Sequence, residues 1–377
     1  MKKLGILGST GSVGSQTLDI VRVNREDFEL IGLLAKRASD KLLLQAKEFK
    51  PKYISCYEDP PKDWLDSLPD GTKFLKGEEG LYAIVEESDM LMNSISGTDG
   101  IFPTYLVLEK NKRLLASNKE SLICLGRLVK EKRELIVPVD SEHNALFQLL
   151  SMVKSQEVKK VYLTASGGPF RNKSLEELKN VSVEEALNHP TWRMGAKITV
   201  DSATLMNKGM ELLEAINLFD LPVESLDVLI HLQSVVHGIV ELIDGSFLFH
   251  TSQTDMKIPI LYSLYYPERR PYPFEKKSLF DLSPIHFEKV DTEKFKSIPL
   301  CKWVALMGDV YPIVLVGADQ VAVELFLEGK IGFLDIVNLV EEVLSSVNFK
   351  EPENIEGILN AIQWAYEKGK ELAGVKG

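Results

Sequence analysis

Apolar positions follow two rhythms along the chain. In the first 140 residues, short apolar runs at Leu4–Leu7, Phe28–Leu34, Met90–Ile95, Arg113–Ala116 and Ile136–Val139 alternate with stretches of helical spacing. Those stretches are Val13–Val23, Leu42–Phe49, the region near Leu106, and Leu122–Val129. Such alternation predicts βαβ units around a largely parallel sheet. Between residues 143 and 265 the order changes. A helical ALFQLLSMV precedes a strand-like KKVYLTAS and a polar loop from Gly167 to about Lys197. A helix near Ala203–Ile216 and strand-like VLIHLQSVVHGIVEL and SFLFHT follow, which predicts an α+β domain. Residues 266–298, rich in Pro, Lys, Glu and Asp, read as a linker. Helical periodicity in Val321–Leu327, Leu334–Leu344 and Ile355–Leu372 predicts a small helical domain over 299–377.

Composition changes this picture little. With 377 residues, 45% hydrophobic and 26% charged, the chain can bury large cores, and disorder is excluded. The net charge of −11 argues against a surface devoted to nucleic acid, but a local phosphate pocket needs only a few donors. Cys56, Cys124 and Cys301 are odd in number and far apart, so they read as reduced thiols of a cytoplasmic protein, with Cys124 on an apolar helix face in the core. The opening MKKLGILGSTG is too short for a signal-peptide core, and no window of 18 uncharged apolar residues exists to span a membrane.

The loop Gly8-Ser9-Thr10-Gly11-Ser12-Val13-Gly14 lies between a predicted strand and a predicted helix. Glycines there let the backbone turn tightly against a pyrophosphate, and the helix N-terminus offers free N–H groups. Its spacing is GxxGxxG. After the second strand, where an NAD site usually has Asp or Glu, stand Lys36 and Arg37, which favours NADP with its 2′-phosphate. Asp140 and Glu142 lie two apart after the Ile136–Val139 run; in an extended chain both point one way and suit Mg²⁺ or Mn²⁺. Asn207, Lys208 and Glu211 share one stripe of a predicted helix. Ser202, Thr204 and Asn207 supply short polar donors for a phosphate or carbonyl, and the small residues of Thr164-Ala165-Ser166-Gly167-Gly168-Pro169 after a strand allow the backbone to approach a ligand. His189-Pro190-Thr191-Trp192-Arg193-Met194-Gly195 reads as a lid with an aromatic cover. These residues leave room for another NADP-dependent reductase of phosphorylated carbonyls, or for a non-catalytic NADP sensor. A semialdehyde dehydrogenase would need an activated cysteine, and none stands in a suitable motif.

In order, GSTGSVGSQTLDIV, LLASNKESLI, VPVDSEHNALFQ, TASGGPFR and HPTWRMGAKITVDSATLMNKGMELLEA closely resemble the 1-deoxy-D-xylulose 5-phosphate reductoisomerase family. The resemblance implies an N-terminal Rossmann-like NADPH-binding domain (1–142), an α+β catalytic domain (143–265), a linker (266–298) and a C-terminal helical domain (299–377). It implies conversion of 1-deoxyxylulose 5-phosphate to 2-C-methylerythritol 4-phosphate, in isoprenoid precursor synthesis, with NADPH and Mg²⁺ or Mn²⁺. The skeleton would rearrange by retro-aldol cleavage and recombination, or by a concerted shift, before hydride reduction.

Carried over by motif, Asp140, Glu142 and Glu211 are the expected metal ligands. Ser166, Ser202, Asn207 and Lys208 are expected on the substrate phosphate with His189 nearby, and Ser141 and Lys119 on the sugar hydroxyls. Thr10, Gly11, Ser12, Val13, Lys36, Arg37, Ala38, Asn118, Glu120 and Gly195 are expected to line the NADPH site, with Trp192 and Met194 in the lid. Lys119, Glu142, His189, Trp192 and Met194 form the expected catalytic set. A homodimer in the cytoplasm is implied, without nucleic-acid or membrane partners. The sequence departs from the family where Gly-Lys-Asn reads Lys36-Arg37-Ala38, where Gly-Ala-Ala-Gly reads Gly97-Thr98-Asp99-Gly100, and where His-Pro-Gln-Ser reads His231-Leu232-Gln233-Ser234. The usual Asn-Ala-Ala-Asn-Glu reads Val316-Gly317-Ala318-Asp319-Gln320.

Overall fold

The computed structural model describes residues 1–188, 195–282 and 284–375. It divides into two compact units: Met1–Ser121 with Arg127–Asn144 and Asp255–Lys276, and Leu122–Gly126 with Ala145–Thr254 and Lys277–Gly377.

The first unit is built on a parallel sheet. Its strands are β1 (Lys2–Leu7), β2 (Phe28–Ala35), β3 (Tyr53–Cys56), β4 (Lys73–Lys76), β5 (Met90–Asn93), β6 (Arg113–Ala116) and β7 (Ile136–Pro138). Their order in the sheet is β4-β3-β2-β1-β5-β6-β7, with every pairing parallel. The central strands are buried on both faces, which is why Leu4–Leu7 and Leu33–Ala35 read as unbroken apolar runs. The chain runs outward from β1 to β4 and then returns to place β5 on the other side of β1. That reversal opens a crevice at the C-terminal ends of β1 and β5, the usual ligand position in a doubly wound sheet. The strands β3 and β4 and the helix Gly77–Glu87 lie outside the alternation read from the sequence. β4 is an edge strand flanked by lysines, so no apolar run marks it.

The second unit contains β8 (Val158–Ala165), β9 (Leu226–Ile230), β10 (Val236–Leu242), β11 (Phe247–Thr251) and β12 (Glu288–Lys289), ordered β11-β10-β8-β9-β12. Only β8 and β9 pair in parallel. Leu146, Val161, Leu163, Leu212, Leu226 and Val240 build one core between this sheet and the helix Met206–Phe219. The single helix expected near Ala203–Ile216 is two, Ala196–Thr204 and Met206–Phe219, broken by Leu205 at φ +61°. A left-handed leucine costs about 1–2 kcal/mol, and here its side chain is buried in the core, which offsets that strain. Helices Tyr311–Leu327, Asp335–Ser345 and Ile355–Leu372 follow the expected periodicity and fall in the same unit as β8–β11. The stretch 266–298 carries β12, which pairs with β9, and the unit division falls inside it after Lys276. Cys56, Cys124 and Cys301 are all buried. Among the described residues, no helix is long and apolar enough to cross a membrane.

Candidate active site

The glycine loop follows β1 directly. Gly8 takes φ +86°, and its N–H and that of Ser9 donate to the Leu34 carbonyl of β2 at 2.8 and 3.0 Å. On the other side, Ser94 N–H donates to Leu7 O at 2.8 Å. A Cβ on Gly8 would lie 2.7 Å from the Ser94 carbonyl, and one on Gly14 would lie 2.4 Å from Gly8 O. Both positions therefore require glycine for close backbone packing. The helix Ser12–Val23 starts at Gly11 with no side-chain cap, so its leading N–H groups face outward unclaimed by a capping side chain. Gly11 and Ser12 are exposed, Thr10 and Val13 half-buried. Sequence reading missed what braces the loop. Ser9 Oγ donates to Gln45 Oε1, Gln45 Nε2 donates back to Ser9 O, both at 2.9 Å, and Lys41 Nζ donates to Thr10 O at 2.7 Å. A glutamine among the leucines of the Asp40–Phe49 helix was the available signal.

Lys36 and Arg37 follow β2 and are exposed, with Ala38 half-buried. Lys36 Nζ lies 3.5 Å from Asp99 Oδ2, so the acid that departs from the family pattern stands beside the candidate 2′-phosphate cation. Asn118 works within the protein: its Nδ2 donates to Ile95 O and Gly97 O at 2.8 and 2.9 Å and meets Glu120 Oε2 at 3.1 Å. Its Oδ1 accepts from Ser121 N–H at 2.8 Å, capping the helix Lys119–Cys124. Asn118 and Glu120 are both buried.

The extended reading of Asp140-Ser141-Glu142 is corrected by the structure. Strand β7 ends at Pro138 and Ser141 opens the helix Ser141–Leu150, so Asp140 stands just before the helix and Glu142 in its first turn. Acids suit that end, where the helix dipole is positive. Lys119 Nζ lies 3.2 Å from Asp140 Oδ2, and Ser141 Oγ donates to Glu142 Oε2 at 2.6 Å. His143, fully buried, has Nδ1 3.9 Å from Asp140 Oδ2; it went unremarked in the sequence.

In the second unit, β8 ends at Ala165 and leads into Ser166, whose Oγ accepts from Gly168 N–H at 3.4 Å. Gly167 and Gly168 have φ +84° and +65°, and a Cβ on Gly168 would lie 2.7 Å from Ser202 O. This close approach brings Ser166 and Ser202 into one neighbourhood. Past the Leu205 turn, the expected stripe is realised: Asn207 Nδ2 donates to Glu211 Oε1 at 2.7 Å and Lys208 Nζ to Glu211 Oε2 at 2.5 Å. Lys208 is 4% exposed and Glu211 1%, so the pair is a buried charge pair, not a solvated surface bridge. Behind it, a Cβ on Gly209 would lie 2.6 Å from Cys301 Sγ, so the helix is pressed against Ser297–Met307. His237 of β10, nearly fully buried, is pushed down to about 4, first by burial and then by the charges of His250 and Lys208. Gly195 is the exposed N-cap of Ala196–Thr204. His189, Trp192 and Met194 lie outside the described residues.

Three family models cover most of the chain: 1-deoxy-D-xylulose 5-phosphate reductoisomerase over residues 4–126, its C-terminal domain over 136–219, and the DXP reductoisomerase C-terminal domain over 251–368. The 1-deoxy-D-xylulose 5-phosphate reductoisomerase of Aquifex aeolicus is 65% identical over 98% of this chain and 97% of its own. The chain belongs to the 1-deoxy-D-xylulose 5-phosphate reductoisomerase family. The reductoisomerase of Persephonella marina is 46% identical over 96% of each chain. Among solved structures, the reductoisomerase from Zymomonas mobilis in complex with NADPH matches at TM-score 0.91 and 36% identity, covering 99% of both chains. A DOX-P reductoisomerase in complex with NADPH, fosmidomycin and magnesium matches equally, at TM-score 0.91 and 36% identity over 100% of this chain and 99% of that one. The doubly wound sheet, the second sheet and the helical C-terminal region are thus the architecture of reductoisomerases.

Proposed function

We infer that the protein converts 1-deoxy-D-xylulose 5-phosphate to 2-C-methyl-D-erythritol 4-phosphate, with NADPH and a divalent cation, in isoprenoid precursor synthesis. The observation that carries this reading is the 65% identity to a reductoisomerase over nearly the whole chain. The residues present fit both groups. The uncapped N-terminus of Ser12–Val23, in a loop packed so tightly at Gly8 and Gly14 that neither has room for a Cβ, suits a pyrophosphate. Lys36 and Arg37 suit a 2′-phosphate, and three carboxylates of oxygen donors suit Mg²⁺ or Mn²⁺ better than a soft metal.

Thr10, Gly11, Ser12, Val13, Lys36, Arg37 and Ala38 hold NADPH. Asn118, which also meets Glu120, would shape the nicotinamide side by fixing the 95–97 loop, and Gly195 would line the cofactor site. Asp140, Glu142 and Glu211 hold the cation. Ser166, Ser202, Asn207 and Lys208 hold the substrate phosphate, with His189. Lys119 and Ser141 orient the sugar hydroxyls, and Trp192 and Met194 cover the substrate. NADPH supplies the hydride when bound, and the cation polarises the carbonyl and its neighbouring hydroxyl.

The chain's own part is positioning and charge. Lys208 offers a buried positive charge to an anionic ligand, where low dielectric makes it count for more than at the surface. Glu211 takes hydrogen bonds from Asn207 and Lys208, which keeps its carboxylate oriented before any ligand arrives. Lys119 keeps Asp140 directed in the same way. A firmly held phosphate and a covered pocket keep rearranging fragments together.

Residues 1–142 serve as the NADPH-binding domain, 143–265 as the catalytic domain and 299–377 as its helical support. A homodimer through edge strand β11 is favoured by Phe247 and Phe249, which are exposed there, with Phe249 stacked on Phe287. Three buried cysteines, few and widely spaced in the chain, favour the cytoplasm. The test is loss of NADPH absorbance on adding 1-deoxyxylulose 5-phosphate with Mn²⁺. Oxidation that requires both, with the methylerythritol phosphate as product, supports the reading; NADPH binding without oxidation refutes it.

A further inference from the structure

We propose that the buried ion pair between Lys197 and Asp319 is a positioning contact for substrate: it fixes the helix Ala196–Thr204 and thereby Ser202. The proposal rests on the reductoisomerase reading above.

Lys197 stands in the first turn of Ala196–Thr204, where the positive end of the helix disfavours a cation. Its i+4 partner is Asp201, and a lysine placed N-terminal to its acid is the weaker orientation of such pairs. Local helix stability therefore gives no reason for lysine at this position. The tertiary contact does. Lys197 Nζ lies 2.7 Å from Asp201 Oδ2 and 2.6 Å from Asp319 Oδ2. Asp319 is 0% exposed and Lys197 17% exposed. A buried ionic cluster of this kind stabilises no better than apolar residues of the same volume, so its distinctive product is a fixed geometry.

The acid sits on a stiff base. It lies in the middle of Tyr311–Leu327, which is pressed onto Ile355–Leu372: a Cβ on Gly317 would lie 2.6 Å from Ile362 O, and one on Gly369 would lie 2.4 Å from Val321 Cγ1. The far end of Ala196–Thr204 is held as well, by Ser297 Oγ donating to Thr204 O at 2.8 Å. Between the two anchors lies Ser202, whose carbonyl packs on Gly168 beside Ser166. One contact thus sets the pitch of the helix that carries Ser202 to the phosphate.

The experiment compares D319A, D319N and K197Q with the parent enzyme by steady-state kinetics and NADPH titration. D319A should raise KM for 1-deoxyxylulose 5-phosphate about tenfold, with kcat within about threefold and NADPH affinity unchanged, a loss of about 1.4 kcal/mol confined to substrate. D319N keeps an acceptor oxygen for Lys197 and should bring KM back to within about threefold of the parent. K197Q, altered at the less buried end, should raise KM in the same direction and serves if D319A does not fold. Folded variants that lose thermal stability but keep the parent KM assign the pair to folding alone and overturn the proposal. A parent that does not turn over this substrate refutes the functional reading instead.

Discussion

The glycine loop of the first unit and the helix Met206–Phe219 of the second are both assigned to phosphate, and they are built by opposite means. The loop offers backbone. Its chemistry is the uncapped end of Ser12–Val23, and what the sequence contributes at Gly8 and Gly14 is the lack of a Cβ. The helix offers side chains: a lysine and a glutamate buried together, with an asparagine on the glutamate's other oxygen. A site made of backbone is sensitive to volume and indifferent to charge. A site made of buried charge is sensitive to charge and poorly screened by salt.

Substitutions that change one property at a time sharpen this contrast. The largest effect is expected from Lys208→Met, which keeps length and removes charge, leaving Glu211 buried with its cation gone. KM for substrate should rise about 100- to 1000-fold, the scale of truncating one partner of a buried charge pair, while NADPH affinity stays within about threefold. Equal weakening of NADPH would break the division of labour.

Next comes pH. His237 has a folded pKa of about 4 against 6.5 when unfolded, mainly because burial disfavours its charged form. Between those values the unfolded chain binds the extra proton, so stability is full above 6.5 and is lost as pH falls toward 4. The loss is on the order of 3 kcal/mol. Urea unfolding at a series of pH values should show this slope in the parent and a flatter one in His237→Asn.

Gly14→Ala comes third. Its new methyl would meet Gly8 O at 2.4 Å, so the loop must shift. We expect a cost of about 2 kcal/mol, read as weaker NADPH binding and a lower Tm, with substrate KM measured at saturating NADPH little changed. The smallest effect is expected from Arg37→Asp, which should shift the NADPH-to-NADH preference about tenfold, or roughly 1.4 kcal/mol, as measured by paired titrations.

The same contrast explains what the sequence disclosed. The doubly wound sheet was legible because its inner strands are buried on both faces and read as apolar runs from Leu4, Phe28 and Met90, and the short terminal strand from Ile136 is buried too. Edge strand β4, with lysine at each end, carries no such mark. The Asn207, Lys208 and Glu211 stripe was legible because helical spacing alone puts those side chains together. The break at Leu205 was not, since leucine gives no warning of a left-handed turn and only the core it fills explains it. Asp140 and Glu142 were found as a pair, but the helix beginning at Ser141 overrode the extended geometry read for them. Tertiary partners such as Gln45 on the glycine loop and Asp319 on Lys197 lie 36 and 122 residues from the groups they serve. No local pattern signals contacts of that separation.

The measurement that tests the account most directly is made on Glu211→Gln, which keeps the shape of the side chain and its contact with Asn207 while removing the charge. NADPH affinity by fluorescence titration and NADPH oxidation with 1-deoxyxylulose 5-phosphate should be followed across a Mn²⁺ series. The account predicts parent-like NADPH binding and turnover reduced at least about 100-fold at every Mn²⁺ concentration, as expected when a cation loses a charged ligand needed for the chemical step. Near-parent turnover at saturating Mn²⁺ would contradict it and remove Glu211 from the metal site.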